Sequence, residues 1–314
     1  MRLLHFLSVT VMLSAIGCTG SQTESAIKIV RLDHAIESGA IADADTAAFD
    51  AWIYATTGIS DAGNRDSICR ALSSSAAYTV FAPDIAGMLP DDALTIPPHY
   101  RKPDGFPSRI YGVISPYRQS VVTVDTLLFV ALNHYLGADY AGYRSFPAYQ
   151  RLLKEASRIP LDVTEAWLRS RYPSAYSTAT PTLLQRMVYE GALAAATADC
   201  LDIDDGPAVM GWTAEEWDDA IAHEAVAWER IVGGDMLYAD DPALISRIIE
   251  PAPASPDVSP DAPGRIGRFI GLRMVRASSV SPLDILGSGG GNYAEIMRAY
   301  PRTLASSRSM TTAR

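Results

Sequence analysis

The apolar positions of this chain change period several times, and each change predicts an element. Residues 27–32 (IKIVRL) have strand composition. Between 45 and 56 the spacing is helical, with Ala48, Phe49, Trp52, Ile53 and Ala55 on one side, and residues 65–72 predict a second helix. Residues 78–82 read as a strand, and 83–107, rich in proline and polar residues, as a long loop. The β-branched runs 109–115 (RIYGVIS) and 120–124 (SVVTV), joined by Pro116, Tyr117, Arg118 and Gln119, read as a hairpin. An apolar helix is expected next, from Leu127, Leu128, Val130, Ala131 and Leu132 to Leu136, stopped by Gly137.

The second half is helical in period throughout. Helices are expected at 147–157 and 161–169. Another follows Thr180 as N-cap and Pro181 in the first turn, running to about Ala198. Thr213 to Glu216 spells a capping box. The helix after it carries Trp217, Ile221, Ala225, Trp228 and Ile231 on one face and ends at Gly233 and Gly234. A proline-rich loop spans 251–263, and helices at 266–277 and 293–300 complete the pattern. No internal repeat is visible. The reading is a single α+β domain, 27–302, mainly helical with a small antiparallel or mixed sheet, and a flexible tail at 303–314.

The first residues belong to a different class. Arg2 precedes an apolar stretch from Leu3 to Ile16, shorter than the roughly 20 residues a membrane-spanning helix needs. It ends Ala15-Ile16-Gly17-Cys18, which resembles a bacterial lipobox. Residues 1–17 are therefore read as a signal peptide, Cys18 as the lipidated residue and 18–26 as a polar tether, because multiple acyl chains anchor stably where one does not. Glu24 is the only acid between Cys18 and Lys28, and a periplasm-facing anchor is expected.

Composition narrows the partners. With 48% hydrophobic and 20% charged residues the chain builds a real core. Its net charge of −10 disfavours nucleic acid and electrostatic adhesion to anionic lipid, so membrane contact falls to the lipid anchor. Of three cysteines, Cys69 and Cys200 remain after Cys18. Two separate buried thiols are expected, with a bridge between them the alternative in an oxidising compartment.

No catalytic constellation is intact. His223-Glu224 begins the zinc-protease pattern H-E-x-x-H, but Ala227 stands at the second histidine, and His223 is expected on a wet face. His134, after the apparent hairpin, and Glu190, on a later helix, are weak zinc candidates. The run Asp199, Asp202, Asp204, Asp205, Gly206 misses the register of a calcium loop and reads as an acidic surface loop. The glycine-rich 287–291 lacks the features of a nucleotide loop and reads as a flexible connection. No G-x-S-x-G elbow occurs. No cofactor is expected.

Several segments together resemble the gliding-motility-associated lipoprotein family GldB. They are 29–33 (IVRLD), 128–143 (LFVALNHYLGADYAGY) with Pro147-Ala148-Tyr149, 183–191 (LLQRMVYEG), 211–228 (GWTAEEWDDAIAHEAVAW), Leu237-Tyr238, 263–275 (PGRIGRFIGLRMV) and Tyr300-Pro301. Ala192 departs from the pattern, where a basic residue is usual. The resemblance implies a non-catalytic envelope lipoprotein that meets other envelope proteins of gliding or secretion machinery, with a layout similar to zinc peptidases that have lost their ligands. Two readings from other classes stand beside it: a lipid-anchored zinc peptidase, and a glycan- or peptide-binding module. A binding surface or structural centre is sought around Tyr135 and Gly137, around Tyr189, Glu190 and Gly191, and at Arg265 and Arg268. Glu190 with either arginine also fits a buried ion pair. Gly264 and Gly267 are expected to permit close backbone approach.

Overall fold

The computed structural model describes residues 26–60, 64–89, 94–97, 99–116, 118–174, 180–288 and 293–311. The expected signal peptide, Cys18, nearly all of the tether, and positions 289–291 of the glycine run lie outside the described residues.

Strand β1 (Ile27–Arg31) leads into α1 (Leu32–Ser38), α2 (Thr46–Thr57), α3 (Arg65–Ser73) and α4 (Ala76–Met88). Residues 78–82 are thus helical, not a strand. The Ser75 side chain caps the backbone N–H of Tyr78, and Tyr78 and Ile85, two turns apart, bury one face. A local cap outweighs the β-preference of a five-residue run, and α4 continues through Pro83, so the loop expected from that residue starts later.

The sheet has order β2-β1-β3-β5-β4, built from β2 (Thr95–Ile96), β3 (Ile110–Val113), β4 (Val121–Val124) and β5 (Leu127–Ala131). The expected hairpin between β3 and β4 is not formed. β4 instead turns through Asp125, at φ 52°, and pairs antiparallel with β5, which lies parallel to β3. The helix expected at 127–136 is strand β5 followed by a 3-10 turn, Leu132–His134. An all-apolar run of this length fits a central strand as well as a buried helix, and β5 is almost wholly buried. Trp52 of α2 packs on Phe129 of β5, with ring centroids 5.3 Å apart.

Short α5 (Ala148–Arg151) and two 3-10 turns replace the helix expected at 147–157 and lead into α6 (Ile159–Arg171), which packs on β2, β4 and β5. The following α7 (Leu183–Leu201) is the hub of the helical half. It is buried almost all round and touches α6, α8 (Pro207–Met210), α10 (Pro242–Ile249), α11 (Ile266–Ala277) and α12 (Pro282–Gly287). Its N-cap is Thr182 rather than Thr180. Thr182 and Gln185 form a reciprocal capping box, which leaves Pro181 just outside the helix. The α7–α11 crossing is so close that a Cβ on Gly271 would lie 1.8 Å from the Met187 carbonyl oxygen, and one on Gly191 would lie 2.1 Å from the carbonyl carbon of Gly271.

Helix α9 (Ala214–Gly233) has the expected capping box. Its buried stripe is Ala220, Glu224, Ala227, Trp228 and Ile231, while Ile221 faces outward. The last helix, α13 (Tyr293–Thr311), runs on past Tyr300, where the apolar spacing had ended it. The class is therefore as read, a mainly helical α+β fold with one small sheet, here of mixed type.

Candidate functional site

Helix α6 carries Asp162, Glu165 and Arg169 at spacings of three and four, so all three share one face. That face meets Glu190 of α7 and Arg268 of α11. Arg169 grips Glu190 with both terminal nitrogens, Nη1 to Oε1 and Nη2 to Oε2, each at 2.8 Å. Arg268 donates to Glu165 Oε2 at 2.6 Å and to Glu190 Oε2 at 3.2 Å. Arg169 also donates to Glu165, and Arg186 lies 3.3 Å from Glu190 Oε1 while reaching Glu250. Signs alternate around a closed ring, Glu165–Arg169–Glu190–Arg268, in which the Glu190 and Arg268 side chains are only 5% and 4% exposed.

Burial alone would raise the Glu190 carboxyl, but Arg169 and Arg268 outweigh it and hold it below the usual carboxylate range. Glu165 behaves alike: burial opposes ionisation, and Arg268 and Arg169 keep it well below that range. Both carboxylates are ionised, and both Glu190 oxygens accept guanidinium donors. The arrangement locks three helices together, with both oxygens of Glu165 and of Glu190 accepting from guanidinium groups.

The ring extends through α6 toward the sheet. Tyr135, fully buried, donates to Asp162 Oδ2 at 2.9 Å, and Arg158 donates to Asp162 Oδ1 at 3.0 Å. Burial and the nearby Asp162 carboxylate raise the Tyr135 phenol well above its ordinary value. Gly137, at φ 93°, accepts this turn and donates its N–H to Lys154 O. Tyr189 donates to the Tyr172 carbonyl and lies under Arg169, and Gly191 makes the contact with Gly271. The two neighbourhoods named from sequence therefore meet through α6. Arg268 pairs with Glu190 as expected. Arg265 does not: its Nη1 donates to the Met210 carbonyl at 2.8 Å. Gly264 does bring backbones close, against Ala252, whereas Gly267 chiefly meets the side chains of Ile248 and Ile249.

Sequence reasoning missed Glu165, Arg169, Asp162 and Arg158. A Glu-to-Arg i,i+4 pair beside the apolar Val163, Trp167 and Leu168 was the available signal. It also read His223-Glu224 only as a failed protease motif. His223 is exposed as expected, whereas Glu224 is buried and holds α9, α11 and α13 together: it accepts from Arg273 Nε at 3.1 Å and from the Tyr300 hydroxyl at 3.0 Å. His134 sits in the 3-10 turn after β5, 3.1 Å from Ser120 Oγ. Among the described residues, no three or more His, Cys, Asp and Glu side chains gather as a metal-binding group. The acidic run is tied by arginines. Arg276 spans Asp199 and Asp205, each at 2.8 Å, and Arg101 pairs with Asp202. Cys69 and Cys200 are separate buried thiols, without a bridge, and burial pushes Cys200 up to about 11.

Fold and site together define a helix-rich α+β domain organised around a charge ring whose Glu190–Arg268 side is buried and whose Arg169 reaches the surface. Residues 98–278 match the family described as Gliding motility protein GldB, and the chain belongs to that family. The matched stretch runs from before β3 to the end of α11, so it contains the whole ring. No curated protein and no solved structure gives a significant match. Membership in this lipoprotein family implies association with the cell envelope. Among the described residues, no helix is long and apolar enough to cross a membrane.

Proposed function

We propose that this protein is a non-catalytic envelope lipoprotein that works by binding other envelope proteins of gliding or secretion machinery, held at a membrane by lipid on Cys18 with its domain facing the periplasm. The family match over 98–278 carries the reading. The ring supports it. A general base needs a carboxylate with a free lone pair and a pKa near the working pH, and Glu190 offers neither. His134 is engaged with Ser120, away from any gathered ligand set.

Two experiments test this. Metabolic labelling with a fatty-acid probe marks the wild-type chain, and Cys18→Ala abolishes the label and yields a soluble, folded domain; persistent labelling would remove the anchor from the reading. In-cell crosslinking followed by capture recovers the same envelope proteins repeatedly, and deletion alters secretion or surface assembly. If crosslinking recovers nothing and deletion changes neither process, binding is not its role. Near-stoichiometric zinc in purified protein, lost in His134→Ala, would replace the reading with a peptidase.

A further inference from the structure

Helix α4 is apolar nearly all round, the composition of a helix enclosed by protein, yet only Tyr78 and Ile85 of its 13 residues are buried. Ala76, Val80, Pro83 and Gly87 are spaced by four, three and four, so they share one outward face, with Thr79 beside it, and all five are exposed. Val80 is 55% exposed, and Met88, at the edge of that face, 46%. A Cβ added at Gly87 would meet nothing within 4 Å, so the face opens on free space. It runs about 16 Å along the helix axis, roughly three turns. The outward side of α9 shows what a solvated helix carries instead: Glu215, Asp218, His223, Glu229 and Arg230 are exposed along it.

The polar groups left over on and beside this face are acceptors. Pro83 lies inside the helix and has no N–H, so the Thr79 carbonyl, four residues earlier, receives no helical donor. The Thr79 hydroxyl is spent on Ser75 O. Asp84, the only charged side chain of α4, flanks the face, four residues on from Val80. The Tyr140 hydroxyl donates to its Oδ2, and its Oδ1 has no donor among the described residues. No Lys or Arg occurs in the helix. Helix α4 precedes the stretch 98–278 that matches the family, so this face is particular to what the chain adds to it.

We propose that the outer face of α4 docks an amphipathic helix of a partner envelope protein, its apolar stripe against Val80, Pro83 and Gly87 and its lysines or arginines toward Asp84 and the Thr79 carbonyl. This rests on the binding role proposed above. An apolar helix face is matched by the apolar stripe of another helix, and small residues at both ends, Ala76 and Gly87, let the second axis come close. Leftover acceptors and a carboxylate call for donors of positive charge. A lipid surface would leave the Thr79 carbonyl without a donor. A second copy would set acceptors against acceptors and bring together two chains of net charge −10.

The test uses the full mature chain in phosphatidylcholine nanodiscs and two model helices. One is a peptide of Leu, Ala and Lys with a leucine stripe flanked by lysines; the other has every Lys replaced by Glu. The methyl resonances of Val80 and Met88 are followed by NMR, with Val226 on α9, 49% exposed, as reference. The lysine peptide shifts Val80 and Met88 saturably, with Kd on the order of 1 mM, and leaves Val226 in place; the glutamate peptide shifts none of them. Val80→Lys, an exposed change that helix propensity tolerates, weakens binding about tenfold. Pro83→Ala returns an N–H to Thr79 O, so it steadies the helix while weakening the peptide about threefold. Equal affinity for both peptides, wild-type affinity in either variant, an equal shift at Val226, broadening of Val80 by a lipid-borne spin label without peptide, or self-association lost in Val80→Lys would each overturn the proposal. If photocrosslinkers elsewhere on the surface capture the envelope proteins and one at position 80 captures none, this face is not their dock, although the binding role stands.

Discussion

Two clusters of arginine and carboxylate differ in how much of each is buried, the ring having a sealed Glu190–Arg268 pair beside a part-exposed Arg169, and they do different work with the same chemistry. In the α6–α7–α11 ring the Glu190 and Arg268 side chains are 5% and 4% exposed. At the acidic loop after α7, Arg276 and Asp199 are 30% and 46% exposed. Removing one partner from the ring leaves a charge in a medium that cannot solvate it; removing one from the loop lets water take its place. Both places invite a functional reading from sequence, as a zinc ligand and as a calcium loop. In both, arginine fills the position that a ligand would need.

The sharpest way to break the comparison is to stop the ring from assembling. Gly271→Val puts side-chain atoms where the Met187 carbonyl already lies, so α7 and α11 must separate and carry Glu190 away from Arg268. The expected loss exceeds about 4 kcal/mol, in the exceptional class of single substitutions. It reads out as insoluble expression or absence of a cooperative unfolding transition. A variant that purifies and unfolds like wild type would show that the helices do not need this approach.

Next in size is Arg268→Met, which keeps the volume, leaves Glu165 with Arg169 alone and removes one partner of Glu190. The expected cost is about 3–5 kcal/mol by urea denaturation. Adding Glu165→Leu should recover a large part of it, because the uncompensated charge leaves with it. Failure of the double variant to recover would assign the cost to packing rather than to charge.

Much of this was legible in the sequence, and the failures are physically specific. The helices α7, α9 and α11 follow from period, α9 also from its capping box, and the pairing of Glu190 with Arg268 from residue type. The β4–β5 hairpin was misplaced because an apolar run such as LLFVA carries no period to separate strand from helix, and the all-β-branched segments beside it looked self-sufficient. Residues 78–82 failed because the Ser75 cap lies outside the run that was read. Arg265 was grouped with Glu190 because sequence separation says nothing about which way a side chain turns from a helix start. Glu165 and Arg169 escaped notice because an i,i+4 pair normally marks a wet face; only the tertiary packing of α6 makes theirs an interior one.

The ring also predicts a pH dependence. Glu165 and Glu190 have folded-state pKa values below their ordinary value near 4.5. Groups depressed in this way bind fewer protons folded than unfolded, so stability is fully present above that value and is lost as pH falls below it toward the folded values. Urea midpoints should therefore be flat through neutral pH with respect to these groups and drop in acid. In Glu165→Leu/Arg268→Met the acid drop should be shallower. An equal drop in that variant would place the acid sensitivity elsewhere.

The smallest effect completes the contrast. Arg276→Ala removes the arginine that spans Asp199 and Asp205, yet all three side chains remain in contact with water. Its expected cost is about 0.2–1 kcal/mol, shrinking further as salt is raised, since screening acts on exposed charges first. Arg268→Met should show a weaker salt dependence, because Arg268 and its partner Glu190 are shielded from mobile ions. The ratio of the two salt slopes tests burial directly, without reference to any ligand. If Arg276→Ala cost as much as Arg268→Met, or if both faded alike in salt, the distinction between a largely buried structural centre and a solvated acidic loop would not hold, and the acidic loop would need a role of its own.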